Sequence, residues 1–314
     1  MLREYIVTPD VLLRDSYEHP ELYRLALRQI WEEVEQLGLL RNLAAGEWST
    51  FLQTVLQTPA NNVGKEVLKA ALLRNRLIAT PKQCTGPLDT EDDWRHEALN
   101  SHQKRKKARR VIFTDRGKQF APNNATVASV LHLDEHAWWR NRDNSISVQR
   151  KPEDLRRALS LFFSHSRRID FVDPYLSSAP DKPGYQDFPA LISSIKETCR
   201  ITLHARIDSV PTEQLKARFQ RWSDSSGRDF DVTLRSIEAF TDPRVPAHDR
   251  YFISDLATLA LTNGYDFGGR GTPSMTVSLV GQEQSRHITD FFTKTYGTGG
   301  LWHWSFRHTA RAGN

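Results

Sequence analysis

The sequence predicts an α/β protein built as two lobes. Strand-like and helix-like segments alternate along most of its 314 residues. A loop-like stretch at 115–126, DRGKQFAPNNAT, carries Gly, Pro and an Asn pair and interrupts that alternation. A second round of alternation then starts near Ser145. The length suits two domains or one two-lobed domain. A composition of 39% hydrophobic and 26% charged residues excludes a disordered chain. The expected division is an N-terminal α/β lobe over 1–120, a bridging segment over 121–144 containing Trp138 and Trp139, and a second domain over 145–314.

In the first lobe, residues 4–7 (EYIV) read as a short strand. Residues 20–37 carry Leu22, Leu25, Ala26, Ile30 and Val34 at helical spacing, with Pro20 at a first helical position. Gly38 ends that helix, and Leu39 and Leu40 begin the next element. Residues 64–74 read as a helix, 77–80 as a strand, 89–109 as a longer helix and 111–114 as a strand. In the second lobe, 145–149 (SISVQ) is an expected strand. Residues 153–165 form an expected helix with Leu155, Leu159, Phe162 and Phe163 inward. Residues 168–172 (RIDFV) are a strand ending in DPYL. A helix over 189–198, a strand over 200–207, a helix over 212–222 and a strand over 231–236 follow. The stretch VPAHDRYFISD then supplies one more strand. The order implies a largely parallel sheet, in which sites collect at the carboxyl ends of strands; Asp173 and Pro174 lie just past one such end. The tail alternates Trp302, Trp304 and Phe306 with His303, Ser305 and Arg307. That is a period-two strand with one aromatic face, suited to a sheet edge or a subunit interface. Gly264 to Thr272 (GYDFGGRGT) follows a strand without opening a helix, so it is a turn rather than a dinucleotide fingerprint.

Several classes are excluded or disfavoured. No apolar run is long enough to span a bilayer, and the start, MLREYIVTPD, has no apolar signal core, so a cytoplasmic protein is expected. Cys84 and Cys199 stand apart without CxxC or Cys-His grouping, which argues against a disulfide framework and a structural zinc site. The net charge of +5 suits a polyanionic partner. Six of the seven residues from 104 to 110 are basic: Lys104, Arg105, Lys106, Lys107, Arg109 and Arg110. This run reads equally as a phosphate-contacting patch and as compensation of the dipole of a helix that opens on DTEDD.

The segment with the most chemistry is His248-Asp249-Arg250, followed by Asp255. A phosphodiester can be cleaved without metal when a histidine attacks phosphorus, a second acid protonates the leaving oxygen and a cation holds the phosphoryl oxygens. Residues two apart on a strand share a face, so His248 and Arg250 point the same way. Asp255 would orient the histidine from behind.

This pattern resembles the phospholipase D-like superfamily, whose motif is His-x-Lys-x4-Asp followed by Gly-Ser and an Asn. His248, Arg250 and Asp255 match its first part, with Arg for Lys. The Gly-Ser positions fall on Thr262 and Asn263, and the Asn position on Asp266. The resemblance is nearest to divergent members, such as the C-terminal domain of MIT-domain proteins and bacterial relatives, and covers about residues 145–310. It implies a mixed sheet with flanking helices and a metal-independent phosphodiesterase, most naturally a nuclease using a phosphohistidine. His248 would be the nucleophile or general acid, Arg250 and Asn263 would hold phosphate, and Asp173 and Asp266 would line the site. Arg is a good phosphate fork. Asp266 is a harder departure, because a carboxylate there repels phosphate and competes for Arg250. The alternative is therefore a non-catalytic nucleic-acid-binding or scaffold subunit of a bacterial complex, an arrangement associated with defence against foreign DNA. With one motif copy, an active enzyme would be a homodimer. Nucleic acid and other proteins of a complex are the implied partners. No cofactor or metal is implied, and no membrane.

Two other features compete. His204 and Arg206 form a second His-x-Arg, with His204 expected as a core histidine rather than a second catalytic one. Asp10, Asp15, Asp89, Asp92, Asp93 and Asp115 are candidates for a metal-dependent nuclease site, with solvated acids the favoured reading.

Overall fold

The computed structural model describes residues 2–105, 110–141, 143–177, 185–207, 212–235, 250–265, 267, 274–293 and 303–310. Its strands are β1 (Arg3–Val7), β2 (Gly38–Asn42), β3 (Leu77–Ala79), β4 (Arg110–Phe113), β5 (Val127–Ser129), β6 (Ser145–Gln149), β7 (Arg168–Val172), β8 (Arg200–Arg206), β9 (Phe230–Arg235), β10 (Arg250–Ser254), β11 (Thr258–Leu261), β12 (Ser274–Leu279) and β13 (His303–His308). Its α-helices are α1 (Pro20–Gln36), α2 (Glu47–Val55), α3 (Asn62–Leu73), α4 (Glu91–Lys104), α5 (Asp115–Lys118), α6 (Ala137–Arg140), α7 (Pro152–Ala158), α8 (Ser160–His165), α9 (Phe188–Ser193), α10 (Glu213–Ser226) and α11 (Gln282–Thr293). The chain divides into two units, 2–142 and 143–314 with Met1. Residues 121–142, expected as a bridge, belong to the first unit: β5 pairs with β4, and Trp139 is buried in that unit's core.

The first unit is a five-stranded parallel sheet in the order β3-β2-β1-β4-β5. The strand order reverses between β1 and β4, a topological switch point. Helix α1 starts at Pro20 and buries Tyr23, Ala26, Leu27, Ile30 and Val34. Leu25, expected on the buried face, is 50% exposed, and Leu27 takes its place. Both lie within the apolar arc that a period of 3.6 allows, so periodicity alone does not decide between them. The long helix ends at Lys104 and starts from a reciprocal cap: Asp93 N–H donates to Thr90 Oγ1, and Thr90 N–H donates to Asp93. The loop expected at 115–126 opens on the short helix α5, because the Thr114 hydroxyl accepts the Gly117 N–H at 3.0 Å and closes a turn. Beneath the sheet, Arg3 and Tyr5 both donate to the buried Glu33, at 3.1 and 3.0 Å, while Arg41 reaches Glu4 at 2.6 Å.

The second unit is an eight-stranded mixed sheet in the order β13-β9-β8-β7-β10-β11-β12-β6. Among the described strands of this sheet only β7, β8 and β9 pair in parallel; its remaining ladders are antiparallel. The chain is thus α/β as expected, with one parallel and one mixed sheet. The single helix expected over 153–165 is two, because Leu159 leaves helical geometry (φ −104°, ψ 20°). Both pieces still bury the expected Leu155, Phe162 and Phe163. One face of the sheet carries an aromatic core of Phe162, Phe163, Phe171, Phe188, Phe252 and Tyr265, with ring centroids 5.2–6.0 Å apart. Ile288, Phe291 and Phe292 of α11 pack with Val172, Tyr251 and Ile253 in a second cluster. No helix of the described residues is long and apolar enough to cross a membrane.

Candidate functional site

The site grows from the ladder between β7 and β10. Tyr251 pairs with Val172, so Arg250 and Asp173, one step further in opposite directions, leave the ladder side by side. Asp173 is fully buried. Its Oδ1 accepts the Tyr175 N–H at 2.9 Å, and its Oδ2 accepts the Tyr185 hydroxyl at 3.1 Å and the Tyr265 N–H at 3.4 Å. Arg250 Nε lies 3.7 Å from Oδ1. Burial pushes the Asp173 carboxyl above the usual range, and these donors with the Arg250 charge pull it back.

Gly264 makes this corner possible by having no side chain. A Cβ there would sit 2.5 Å from Asp173 Oδ2, 3.0 Å from Arg250 Nε and 3.1 Å from the Tyr185 hydroxyl. The next residue, Tyr265, is fully buried and donates its hydroxyl to the Tyr251 carbonyl at 2.6 Å. That bond pins the segment after β11 against β10.

Arginines gather at the same edge. The Arg250 guanidinium lies 5.2 Å from the Tyr175 ring centroid, and that of Arg206, the last residue of β8, lies 5.5 Å from it. Arg206 pairs in register with Arg235, the last residue of β9. Arg235 is buried against Phe291 and Phe292 and donates to the Phe292 carbonyl at 2.9 Å. Arg250 keeps 21% of its side chain in solvent. A guanidinium held over an aromatic face keeps its charge and is restricted in orientation, which suits recognition of a phosphate oxygen.

Of the residues expected from the sequence, Asp173, Arg250 and Asn263 meet at this edge. Asn263 follows β11, whose Leu261 pairs with Arg250; its side-chain amide lies 3.4 Å from the Ser274 carbonyl. His248 and Asp266 lie outside the described residues, as do Lys106, Lys107 and Arg109. Asp255 requires a correction. It follows the opposite end of β10, about 16 Å of strand from Arg250 at ~3.3 Å per residue. There its Oδ1 accepts the backbone N–H groups of Arg167 and Arg168, at 2.9 and 3.4 Å. It ties β10 to the start of β7 and is placed to orient nothing at the Arg250 end.

The basic run splits. Lys104 ends α4 and is exposed, and the Arg105 carbonyl accepts from Arg41 at 2.6 Å. Arg110 opens β4 with its guanidinium 5.5 Å from the Trp138 ring centroid, a packing role. His204 is buried, with Nε2 3.4 Å from Asp170 and its ring against Phe292. Burial lowers its pKa against the upward pull of Asp170. This is the core histidine expected.

The first-lobe carboxylates are held by a cation of the chain itself. Arg95 donates to Asp10 at 3.0 Å, Glu91 at 2.6 Å and Asp92 at 2.6 Å, and Thr114 also donates to Asp10 at 2.9 Å. Asp115 accepts from the Ser129 hydroxyl and lies 3.5 Å from His132. Among the described residues no group of three or more His, Cys, Asp or Glu is arranged to hold a metal ion.

Arg235 and Tyr185 were not singled out from the sequence; Arg206 stood there only within a second His-x-Arg, Tyr175 only within DPYL and Gly264 only at the head of a glycine-rich turn. The two arginines carried a signal, since each ends an apolar strand of a parallel set, where sites collect. Tyr185 carried none, because its role exists only once four segments meet at Asp173.

No family model matches the chain, and no curated protein matches it. Among solved structures, that of TrmBL2, an archaeal chromatin protein with a novel mode of DNA binding, aligns over 78% of this chain and 84% of its own. Identity is 10% and the TM-score 0.27, a likeness too slight to bear on fold or function.

Proposed function

We propose that the carboxyl edge of the second unit binds the phosphodiester backbone of a nucleic acid, as a phospholipase D-like module that works without a metal. The observation that carries this reading is the pair of guanidiniums, Arg250 and Arg206, on either strand beside β7 and within 5.5 Å of one tyrosine ring. Arginine offers a planar, permanently charged fork matched to phosphate oxygens. The buried Asp173 fixes one of the two from behind. The net charge of +5 favours a polyanion over an anionic small molecule.

A second reading adds hydrolysis. His248 stands two residues before Arg250 in the sequence, the offset that places a nucleophilic histidine beside its phosphate-holding cation. One experiment separates the two. The full chain, purified in EDTA, is mixed with labelled single-stranded DNA, duplex DNA and RNA. Binding that weakens steeply with salt and is lost in Arg250→Ala supports the first reading. Cleavage that survives chelation and disappears in His248→Ala supports the second. No binding to any of the three, with Arg250→Ala indistinguishable from the native chain, refutes both.

A further inference from the structure

We infer that the ligand of this edge is an extended single strand, lying across the carboxyl ends of the β-strands and contacting Arg206, Arg250 and Lys151 in turn. The inference rests on the phosphate-binding reading above and names its substrate class. It follows from sheet topology. β6 is antiparallel to β12, β12 to β11, β11 to β10 and β10 to β7, so four reversals leave β6 running in the same direction as β7. The carboxyl end of β6, followed by Arg150 and Lys151, therefore lies on the same edge as Asp173 and Arg250. Along that edge the order is Arg206 at β8, Tyr175 after β7, Arg250 at β10, Asn263 after β11, Ser274 at β12 and Lys151 after β6.

Strand spacing converts this order into a length. At about 4.8 Å per interval, Arg206 and Arg250 are roughly 10 Å apart, and Arg250 and Lys151 roughly 14 Å. The row is thus about 24 Å long, and at ~3.4 Å per stacked nucleotide, or twice that when the strand is pulled out, it spans roughly 4–7 nucleotides. Lys151 is exposed, and no described side chain pairs with it. Arg206 is half-buried, and Arg250 keeps its outer fifth in solvent. Among the described residues, Glu153 and Asp154 stand in the first turn of α7 beside Lys151, and Arg157 takes Asp154 at 3.4 Å.

Twist decides between a single strand and a duplex. Neighbouring strands rotate by about 20–25°, so the edge turns through roughly 100° between β8 and β6. A duplex is stiff, with a persistence length of about 150 base pairs, and bending it around so short an arc is costly. A single strand follows such a path without that cost, and cations spaced along a curved groove are how backbone-tracking proteins hold one.

The test uses the full chain in EDTA with labelled oligothymidylates of 2, 4, 6, 8 and 12 nucleotides and a 12-base-pair duplex. Affinity is expected to rise with length to about 6 nucleotides and then level off, and the duplex to bind more weakly than the 12-mer. The slope of log affinity against log salt should be near −2, from three contacts at about −0.7 each. Lys151→Ala, an exposed change that leaves folding intact, should take about 0.7 from that slope and shorten the plateau to roughly 2–3 nucleotides. Equal affinity for the 2-mer and the 12-mer, with Arg250→Ala still abolishing binding, overturns the strand and leaves a single-phosphate pocket. A duplex that binds more tightly than the single strand overturns it as well, and so does an unchanged slope in Lys151→Ala. Absence of all binding overturns the underlying reading instead.

Discussion

Replacing Gly264 with alanine tests the corner on which the site is built. The new Cβ would lie 2.5 Å from Asp173 Oδ2, and this carboxylate cannot easily withdraw because it is fully buried and accepts from Tyr175, Tyr185 and Tyr265. Relief of the clash breaks at least one hydrogen bond to a charged group, worth about 1.5–3 kcal/mol. Overpacking adds about 1–3 kcal/mol, and the lost backbone freedom of the unfolded chain returns about 0.4–1 kcal/mol. The expected net loss is about 1.5–5.5 kcal/mol, or roughly 4–15 °C in the melting temperature of a domain this size. The displaced carboxylate carries Arg250 with it, because the same Cβ would lie 3.0 Å from Arg250 Nε. Nucleic-acid affinity should therefore fall about tenfold, on the order of 1.4 kcal/mol. Gly86→Ala is the control, since a Cβ there meets nothing within 4 Å. The assay is thermal unfolding followed by oligonucleotide binding at a temperature where both variants are folded. A Gly264→Ala protein that melts with the native chain would refute the reasoning, because the corner would then be loose enough to admit a methyl group.

Other outcomes follow from the same contacts. Asp255→Ala removes the acceptor for the Arg167 and Arg168 N–H groups and should lower stability by about 1 kcal/mol while leaving nucleic-acid affinity unchanged; a large loss of affinity at equal folding would restore its expected part in the site. Arg95→Met strips Asp10 of its ion-pair partner in a buried setting and should destabilise the first unit by about 3–5 kcal/mol. A urea midpoint equal to that of the native chain would contradict it. Acidification should also destabilise the fold. Burial lowers the His204 pKa below its unfolded value near 6.5, so its contribution is present above that pH and lost as pH falls through the folded value. Buried His308 is lowered in the same sense, whereas exposed His132 is raised and acts oppositely. Melts between pH 7.5 and 5 should show falling stability, with a shallower decline in His204→Gln. An equal slope in the two proteins would show that His204 does not titrate as its burial requires.

Much of the architecture was legible because it rests on local pattern. The strands RIDFV and RITLHAR, the capped helix opening on TEDD and the apolar spacing of α1 each follow from periodicity and end chemistry within a dozen residues. The failures are also local in origin. Periodicity carried a single helix through Leu159, where the backbone turns away, and it placed Leu25 inside although it is half exposed. The carboxylate at Asp255 matched a motif by offset, yet offset along a strand measures distance as well as face, and five residues moved it to the opposite edge of the sheet.

By itself the sequence determined an α/β chain with two lobes, a basic balance, and an Arg250 strand resembling a phosphodiester-handling motif. Periodicity, composition and short-range spacing are properties of neighbouring residues, so they survive without a fold. Tertiary structure alone decided that Arg250 stands beside Asp173, that Arg206 shares its tyrosine and that Gly264 leaves room for both. Those three facts depend on strand order and register, which bring residues up to 92 positions apart in the sequence (Asp173 and Tyr265) within a few ångströms at one sheet edge.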